Sequence, residues 1–236
     1  MPIVLGPGIA VGAGITIASI PPPVSAGLQL YLDAGNTASY PGSGTTWTSL
    51  VNGYTGSMGT GVGYSASNGG VITFNGVSTA FVDMFGSASA LSSSTNNFSV
   101  EAWYQSNNNF PGIVKTGVPS GSGFVFGWYS AGTIWKVTKY GVIDISTGNI
   151  PQNTAWHQVV LTYSSTTGTR VYVDGTLSGT PSPSTINLTP GSEFSIGKSE
   201  DVNLTGSMGI FRWYSTALSA TDVAQNFGAD RSRFGI

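Results

Sequence analysis

The carboxylates of this chain are the residues whose types could support acid–base chemistry. Glutamate occurs only at Glu101, Glu193 and Glu200. Hydrolysis of a glycosidic bond needs two carboxylates facing the same bond, and no pair of these glutamates has a spacing that places both on one strand face. Glu200 and Asp201 are adjacent, and neighbours on a strand point to opposite faces. The sequence therefore predicts no catalytic carboxylate pair.

His157 is the single histidine and lies between Trp156 and Gln158 at the start of a predicted strand. A nucleophilic triad would need an oriented serine and an acid, and the chain has no G-x-S-x-G nucleophile elbow. We therefore expect His157 to be a structural residue at a sheet edge. Together with the carboxylate pattern, this predicts a protein that is not an enzyme.

Three aspartates, Asp33, Asp83 and Asp201, are candidate calcium ligands because Ca²⁺ prefers carboxylate and carbonyl oxygens in loops. They show no EF-hand spacing and no clustering in the sequence. Single solvated or capping carboxylates are the simpler interpretation. We predict no cofactor and keep calcium as the one candidate.

Aromatic and amide side chains are the candidates for sugar binding. Trp128, Tyr129 and Trp135 flank a predicted hairpin at residues 130–132, and aromatic faces beside polar loops can stack on sugars. Asn108 could add amide donors and acceptors. A sandwich core also absorbs aromatic residues, so the two tryptophans of this hairpin have core positions as their alternative. We predict core positions for Trp103, Trp156 and Trp213.

The composition restricts the partners. The 236 residues include 34 glycines, no cysteine, 8 basic and 10 acidic residues, so only 8% are charged, against about a quarter in ordinary soluble domains. Disulfides and thiolate metal sites are excluded. No basic cluster offers the electrostatic surface that nucleic acids require, and we expect a neutral surface rich in hydroxyl groups.

The stretch from Trp156 to Gly179 indicates the fold class. Residues from Trp156 to Tyr163 alternate in the period of a strand with one buried face. A second strand, Thr169 to Val173, leads into Asp174-Gly175, which suits the two positive-φ positions of a tight hairpin. A third strand follows from Thr176. Three antiparallel strands with local connections predict an all-β fold.

Further short strands separated by Gly, Ser and Asn predict a β-sandwich. They cover residues 28–33, 71–74, 80–83, 98–105, 112–115, 123–129, 133–138, 193–197 and 206–214. One short helix is predicted near the C-terminus, with Ser219 as N-cap, Asp222 completing a capping box and Gly228 closing the helix.

The segment LQLYLDAGNTASYPGSGTTWTSL, residues 28–50, resembles the opening of laminin-G-like domains of tailed-bacteriophage virion proteins. The W-H-Q-V-V-L-T-Y and R-V-Y-V-D-G strands are similar to the core of laminin-G-like and concanavalin-A-like sandwiches. This resemblance implies an antiparallel jelly roll over residues 28–236. Such domains often continue with S-G-N-G-N, where this chain has Leu50 to Tyr54, so no role carries over to that loop.

Residues 1–27 differ from the rest, since no charge precedes Asp33 and GPGIAV is followed by the similar GAGITI. A signal peptide would need a basic start and an uninterrupted apolar run, and glycine and proline disfavour a membrane helix. A flexible tail is the alternative. We predict an extended arm with a Pro21–Pro23 spacer, in which one apolar face docks on a partner. That face would consist of Ile9, Val11, Ile15 and Ile17.

The resemblance and the arm predict a structural protein on the exterior of a phage virion, either a capsid decoration or a head fibre. The arm would anchor it to other virion proteins, and a homo-oligomer, such as a trimer, is expected. The alternative is a carbohydrate-binding adhesion module that recognises glycans of the host surface. No nucleic-acid or membrane partner is predicted.

Overall fold

Alternating apolar side chains build two antiparallel sheets around one hydrophobic core. The computed structural model describes residues 20–93, 96–117, 123–128, 133–139, 143–184, 186, 193–200 and 202–236. The strands are β1 Leu28–Asp33, β2 Thr46–Thr48, β3 Thr55–Met58, β4 Val62–Ser65, β5 Val71–Asn75, β6 Val82–Asp83, β7 Asn97–Ser106, β8 Gly112–Lys115, β9 Phe124–Gly127, β10 Ile134–Lys139, β11 Ile143–Asn149, β12 Trp156–Ser164, β13 Gly168–Val173, β14 Thr176–Ser182, β15 Ser195–Ile196 and β16 Thr205–Tyr214. The helices are α1 Phe85–Ala88 and α2 Ala220–Phe234.

Within the described part of the chain, each sheet contains eight strands. Sheet A has the order β14-β13-β12-β7-β16-β5-β4, and β1 also pairs with β16. Sheet B has the order β11-β10-β9-β8-β15-β6-β3-β2. The predicted all-β antiparallel sandwich is therefore confirmed.

The aromatic side chains of the core join the two sheets. The ring of Phe98 on β7 lies 5.4 Å from that of Phe124 on β9 and 5.5 Å from that of Trp213 on β16. Offset and tilted ring pairs at this separation are favourable beyond the area that they bury. The prediction that Trp103, Trp156 and Trp213 are buried is confirmed. Trp213 lies in the core between the sheets, whereas Trp103 and Trp156 lie in a second buried cluster with Phe234 of α2.

The predicted meander is present as β12, β13 and β14. Asp174 and Gly175 have φ values of 49° and 76°, as a tight hairpin with two left-handed positions requires. Strands β2, β3, β4 and β11 were not predicted. Their sequences are rich in Gly, Ser and Thr and lack a clear alternation of apolar residues.

Helix α2 begins at the predicted position but ends later in the sequence than predicted. Ser219 and Asp222 form the capping box, but the prediction that Gly228 closes the helix is wrong. The helix continues to Gly235, whose φ is 78°, because Phe227 and Phe234 both stack on Trp103, at 5.7 and 4.6 Å. This packing outweighs the cost of about 1 kcal/mol for glycine inside a helix. Among the described residues, no helix is long and apolar enough to span a membrane.

A polar network lies between α2 and the outer face of sheet A. Glu101 and Arg212 are fully buried and 3.0 Å apart. Glu101 also accepts hydrogen bonds from Gln158 Nε2 at 2.8 Å and Asn226 Nδ2 at 2.7 Å. Arg212 Nη1 donates to Asp230 Oδ2 at 2.7 Å. Two residues of the helix, Asn226 and Asp230, thus bind the ion pair of the sheet.

The electrostatics of this network follow from its burial. Loss of water raises the pKa of Glu101, and the neighbouring Arg212 guanidinium opposes that rise. The carboxylates of Glu101 and Asp230 hold the pKa of Arg212 well above its usual value, although burial alone would lower it. The pair is therefore a buried charge pair whose stability depends on the hydrogen bonds around it.

The same helix holds the start of the described chain. Gln225 Nε2 donates to the carbonyl oxygen of Pro22 at 2.8 Å, and the amide of Val24 donates to Asn226 Oδ1 at 2.7 Å. The Pro-rich spacer is thus fixed against α2, whereas residues 1–19 lie outside the described part of the chain.

We expect Glu101→Ala to lower the free energy of unfolding by about 3–5 kcal/mol, because it leaves the buried charge of Arg212 without its partner in the sheet. Urea denaturation followed by tryptophan fluorescence measures this. Asp144→Ala is the control, since Asp144 is exposed on β11, and it should change stability by no more than about 0.5 kcal/mol. Equal losses in the two variants would contradict the role of the network.

Candidate functional site

The described candidates for calcium binding lie on different sheets. Asp33 ends β1 in sheet A and forms an ion pair of 2.5 Å with Arg233 of α2, so its carboxylate already has a cationic partner. Asp83 is exposed on β6 of sheet B and accepts the amide N–H of Phe85. Asp201 is outside the described residues. Within the described part of the chain, no group of three acidic or histidine residues could hold a metal ion.

His157 lies on an interior strand of sheet A, so its predicted position at a sheet edge is wrong. Strand β12 pairs with β7 on one side and with β13 on the other. The imidazole Nδ1 is 2.7 Å from Asp174 Oδ2, and Nε2 is 2.9 Å from Asn153 Oδ1. Both ring nitrogens face acceptors, an arrangement that ties the start of β12 to the β13–β14 hairpin. The structural role of His157 stays a prediction that these two contacts favour.

The predicted sugar-binding residues divide into two groups. Trp135 is fully buried, with an exposed fraction of 0%, and contacts Tyr104 and Phe126 in the core. The proposal that Trp135 stacks on a sugar is therefore wrong. Trp128 is half-buried and Asn108 is exposed. Tyr129 and the arm residues Ile9, Val11, Ile15 and Ile17 lie outside the described residues.

Asn108 lies at a cleft of about 420 Å³ on the sandwich rim. This rim cleft is lined by Gly76, Ser78, Asn108, Lys198, Glu200, Val202, Asn203 and Thr205. Its volume is within the range of about 300–1,000 Å³ that is typical of small-ligand sites. Its walls are formed by the β5–β6, β7–β8 and β15–β16 connections.

Backbone and amide hydrogen bonds fix these walls. The amide of Asn107 donates to the carbonyl oxygen of Thr205 at 2.7 Å, which joins the two connections. Asn108 Oδ1 accepts from Ser106 Oγ and from the amide of Phe110. On the other wall, Asn203 Nδ2 donates to the carbonyl oxygen of Val77 at 2.7 Å. The carbonyl side of the Asn108 amide is thus used internally, whereas its Nδ2 group makes no hydrogen bond to another described residue.

An aromatic pair adjoins the loop that carries Asn108, outside the residues that line the rim cleft. The rings of Phe110 and Trp128 are 4.6 Å apart at an angle of 46°, and Phe110 follows Asn108 by two residues. The amide of Trp128 donates to the carbonyl oxygen of Pro111 at 2.9 Å, which holds the end of β9 against this loop. The sequence interpretation missed Phe110, because the strand pattern does not show that its loop meets Trp128.

The structure also brings together charged residues that are scattered in the sequence. Lys115 Nζ lies 3.7 Å from Glu193 Oε2 and 3.3 Å from Glu200 Oε2. Glu193 Oε1 accepts from Lys198 Nζ and from Ser195 Oγ, both at 2.7 Å. Two glutamates therefore do share one site, which their spacing did not indicate. Lys115 connects the two glutamates, and Lys198 pairs with Glu193.

The comparison with protein families matches residues 82–224. The matching laminin G model is described as the concanavalin A-like lectin/glucanases superfamily. The match contains the meander, the aromatic pair and the walls of the rim cleft up to Thr205. Comparison with curated proteins found no match.

Solved structures share the fold at low sequence identity. Trypanosoma rangeli sialidase in complex with sialic acid aligns with a TM-score of 0.61 and 18% identity over 93% of this chain and 35% of its own. The receptor binding domain of botulinum neurotoxin type G gives 0.58 and 15%, over 86% of this chain and 51% of its own. The serotype D/C VPI 5993 binding domain gives 0.62 and 12%, over 86% and 52%. The chain thus spans between a third and about half of these proteins.

We expect Gly112→Ala to displace the wall of the rim cleft. A Cβ atom at Gly112 would lie 2.7 Å from the amide nitrogen of Ser199 and 2.8 Å from the carbonyl oxygen of Val202, so the Lys198–Thr205 segment must move. The expected loss of stability is about 1–3 kcal/mol. Amide chemical shifts of the wall and thermal unfolding measure the two effects.

Gly86→Ala is the matched control for this substitution. Gly86 has no atom within 4 Å of an added Cβ, so its replacement should leave the shifts of the cleft unchanged. Unchanged shifts in Gly112→Ala as well would contradict the close packing of the two walls.

Proposed function

Given that this chain belongs to the concanavalin A-like lectin/glucanases superfamily, we propose that it binds carbohydrate at the rim cleft and catalyses no reaction. The observation that carries this proposal is the aromatic pair of Phe110 and Trp128 beside the polar cleft of Asn108. Sugars combine an apolar ring face with a rim of hydroxyl groups, and this site offers both kinds of partner.

The aromatic pair supplies the apolar part of the interaction. Phe110 exposes 40% of its surface, and its tilted packing against Trp128 limits the movement of the ring. A restrained aromatic ring loses little conformational entropy when a ligand stacks on it, which favours binding. The C–H face of a pyranose is the expected partner.

The cleft supplies the polar part. Asn108 Nδ2 is a donor without a bond to any other described residue, and Lys198 and Glu200 line the same cleft. Donors and acceptors in one small cleft suit vicinal hydroxyl groups, each of which donates and accepts. The site thus favours a neutral hydroxylated ligand over a strongly charged one.

Structures with the same fold supply a precedent for recognition. One is a sialidase in complex with sialic acid, and others are receptor binding domains of botulinum neurotoxins. Their low identity to this chain supports the fold alone. A recognition role for this chain is therefore our extension, which depends on the rim cleft.

The proposal of a non-enzymatic protein is supported by the partners of the clustered carboxylates. Glu193 accepts bonds from Lys198 and Ser195 and lies near Lys115, and Glu200 pairs with Lys115. A retaining or inverting glycosidase needs one protonated carboxylic acid to act on the leaving group. Both carboxylates are instead paired with lysine ammonium groups of this chain, which supports a structural role for the cluster.

We expect Phe110→Ala to weaken binding to the best ligand of a glycan array by about fivefold or more, since aromatic stacking contributes about 1 kcal/mol. Calorimetric titration of that ligand measures the change. Phe85→Ala is the matched control, because Phe85 exposes 39% of its surface, close to the 40% of Phe110, and lies on α1. Mass spectrometry of the recovered glycan should show no cleavage.

Two outcomes would contradict this proposal. Equal affinities of the Phe110 and Phe85 variants would move the binding site away from the aromatic pair. Cleaved glycan would show an enzyme, and Glu193→Gln and Glu200→Gln would then identify the carboxylates that act.

A second proposal concerns where the domain is displayed. We propose that it is held on the exterior of a phage virion through residues 1–27, as the resemblance of residues 28–50 to virion proteins implies. The bonds of Pro22 and Val24 to α2 favour it, because they fix the point from which the preceding residues extend. None of the matches described above is to a phage protein, so this proposal depends on the sequence and on that attachment.

We expect the full chain to form a homo-oligomer and a chain that begins at Pro21 to be a folded monomer. The truncated chain keeps the bonds of Pro22 and Val24, so its stability should be unchanged. Light scattering gives the two masses, and urea denaturation gives the two stabilities. Monomers in both cases would contradict the predicted role of the arm in assembly.

A further inference from the structure

A polar groove of about 550 Å³ lies on the outer face of sheet A, beyond the N-terminal end of α2. Its floor is formed by β12 and β13, and its wall by residues 216–220. The wall is fixed by buried Ser99, whose Oγ donates to the carbonyl oxygen of Thr216 at 2.9 Å and accepts from the amide of Leu218 at 2.9 Å. We call this the sheet A groove, and it shares no lining residue with the rim cleft.

Arg170 is the only charged residue among the described residues that line this groove. Its Nη1 donates to the carbonyl oxygen of Thr167 at 3.1 Å and to Thr167 Oγ1 at 2.9 Å. No carboxylate lies within ion-pair distance of Arg170 in the described part of the chain. The guanidinium is therefore held in place by one nitrogen, while its Nε and Nη2 donors have no described partner.

Two side chains that carry hydroxyl groups also line the groove. Thr162 and Tyr172 are buried as residues, and neither hydroxyl makes a hydrogen bond to another described residue. Thr162 is the register partner of Arg170, and Tyr172 follows Arg170 by two positions on the same face of β13. Both hydroxyls therefore lie on the same face as the guanidinium of Arg170, where they can donate to and accept from a ligand in the groove.

The wall adds backbone donors. Ser219 and Asp222 form the capping box and satisfy each other, whereas the N–H groups of Ala220 and Thr221 have no partner in the described chain. Free N–H groups at the start of a 15-residue helix favour negative charge.

We propose that the sheet A groove binds an acidic saccharide, with the guanidinium of Arg170 on the carboxylate or sulfate group and the hydroxyls of Thr162 and Tyr172 on the sugar. A planar guanidinium with two unused donors matches a carboxylate or sulfate oxygen pair. The volume fits a small ligand, and the hydroxyl groups match a hydroxylated ring. This site is separate from the rim cleft and does not depend on it.

The test is a titration of the full chain with methyl glucuronide, methyl glucoside and inorganic sulfate, followed by NMR of the backbone amides and of the arginine Nε–H. We expect methyl glucuronide to shift the Arg170 signal and to bind about tenfold or more tightly than methyl glucoside, because a hydrogen bond to a charged group is worth more than a neutral one. Sulfate should bind more weakly than the glucuronide, since it lacks the ring.

Arg170→Gln should lower the affinity for methyl glucuronide by about tenfold or more. Arg170→Lys should also weaken it, since an ammonium group lacks the planar pair of donors. Arg231→Gln is the matched control, because Arg231 is exposed in the last turn of α2 and has no carboxylate partner among the described residues. The Arg231→Gln variant should bind methyl glucuronide with the same affinity as the unchanged chain.

Several results would overturn the proposal. Equal losses in the Arg170 and Arg231 variants would indicate non-specific attraction to positive charge. If sulfate binds as tightly as methyl glucuronide, the sugar ring contributes nothing and the site is not a saccharide site. If neither sulfate nor methyl glucuronide binds, the groove is not a binding site. Loss of glucuronide binding in Phe110→Ala would move this ligand to the rim cleft, so failures of the two sites are distinguishable.

Discussion

The buried ion pair of Glu101 and Arg212 is the interaction on which the arrangement of this domain depends. Removing both charges from water costs several kcal/mol per ion, and the hydrogen bonds around the pair offset that cost. Gln158 in the sheet and Asn226 and Asp230 in the helix supply the bonds. The ion pair is therefore shielded from water only while α2 is docked on sheet A. The same helix fixes Pro22 and Val24 through Gln225 and Asn226, so the start of the described chain depends on it as well.

Docking of α2 decides which surfaces remain for ligands. Trp103, Phe227 and Phe234 stack between the helix and the sheet, which closes that part of the outer face of sheet A. The sheet A groove begins where the helix begins, because Ser99 holds the preceding loop above β12. The rim cleft lies in the connections between strands, where no helix covers the sandwich. The position of the sheet A groove is thus a consequence of how the helix is held.

The fold class could be predicted from the sequence, but most contacts of the candidate sites could not. Strand periodicity is local, so the meander from Trp156 and the capping box of Ser219 could be predicted and are confirmed. A contact between Phe110 and Trp128, or between Lys115 and two glutamates, depends on which loops the topology brings together. Nor could alternation reveal that Trp135 points into the core, since each strand has two faces. The helix beyond Gly228 was missed because its stability comes from Trp103, which is distant in sequence.

The low charge of the chain limits how these sites can select a ligand. With only 8% charged residues, the surface generates a weak long-range field, so attraction over many ångströms contributes little to recognition. At the two proposed sites, selection would then come from close contact: ring stacking at Phe110, amide bonds at Asn108, and one fixed guanidinium at Arg170. Such contacts require that the walls of each site are rigid. The close approach of Gly112 to Ser199 and Val202 provides this at the rim cleft, because a side chain there would separate the two connections. Glycine in this domain is thus as much a part of the binding geometry as the aromatic residues.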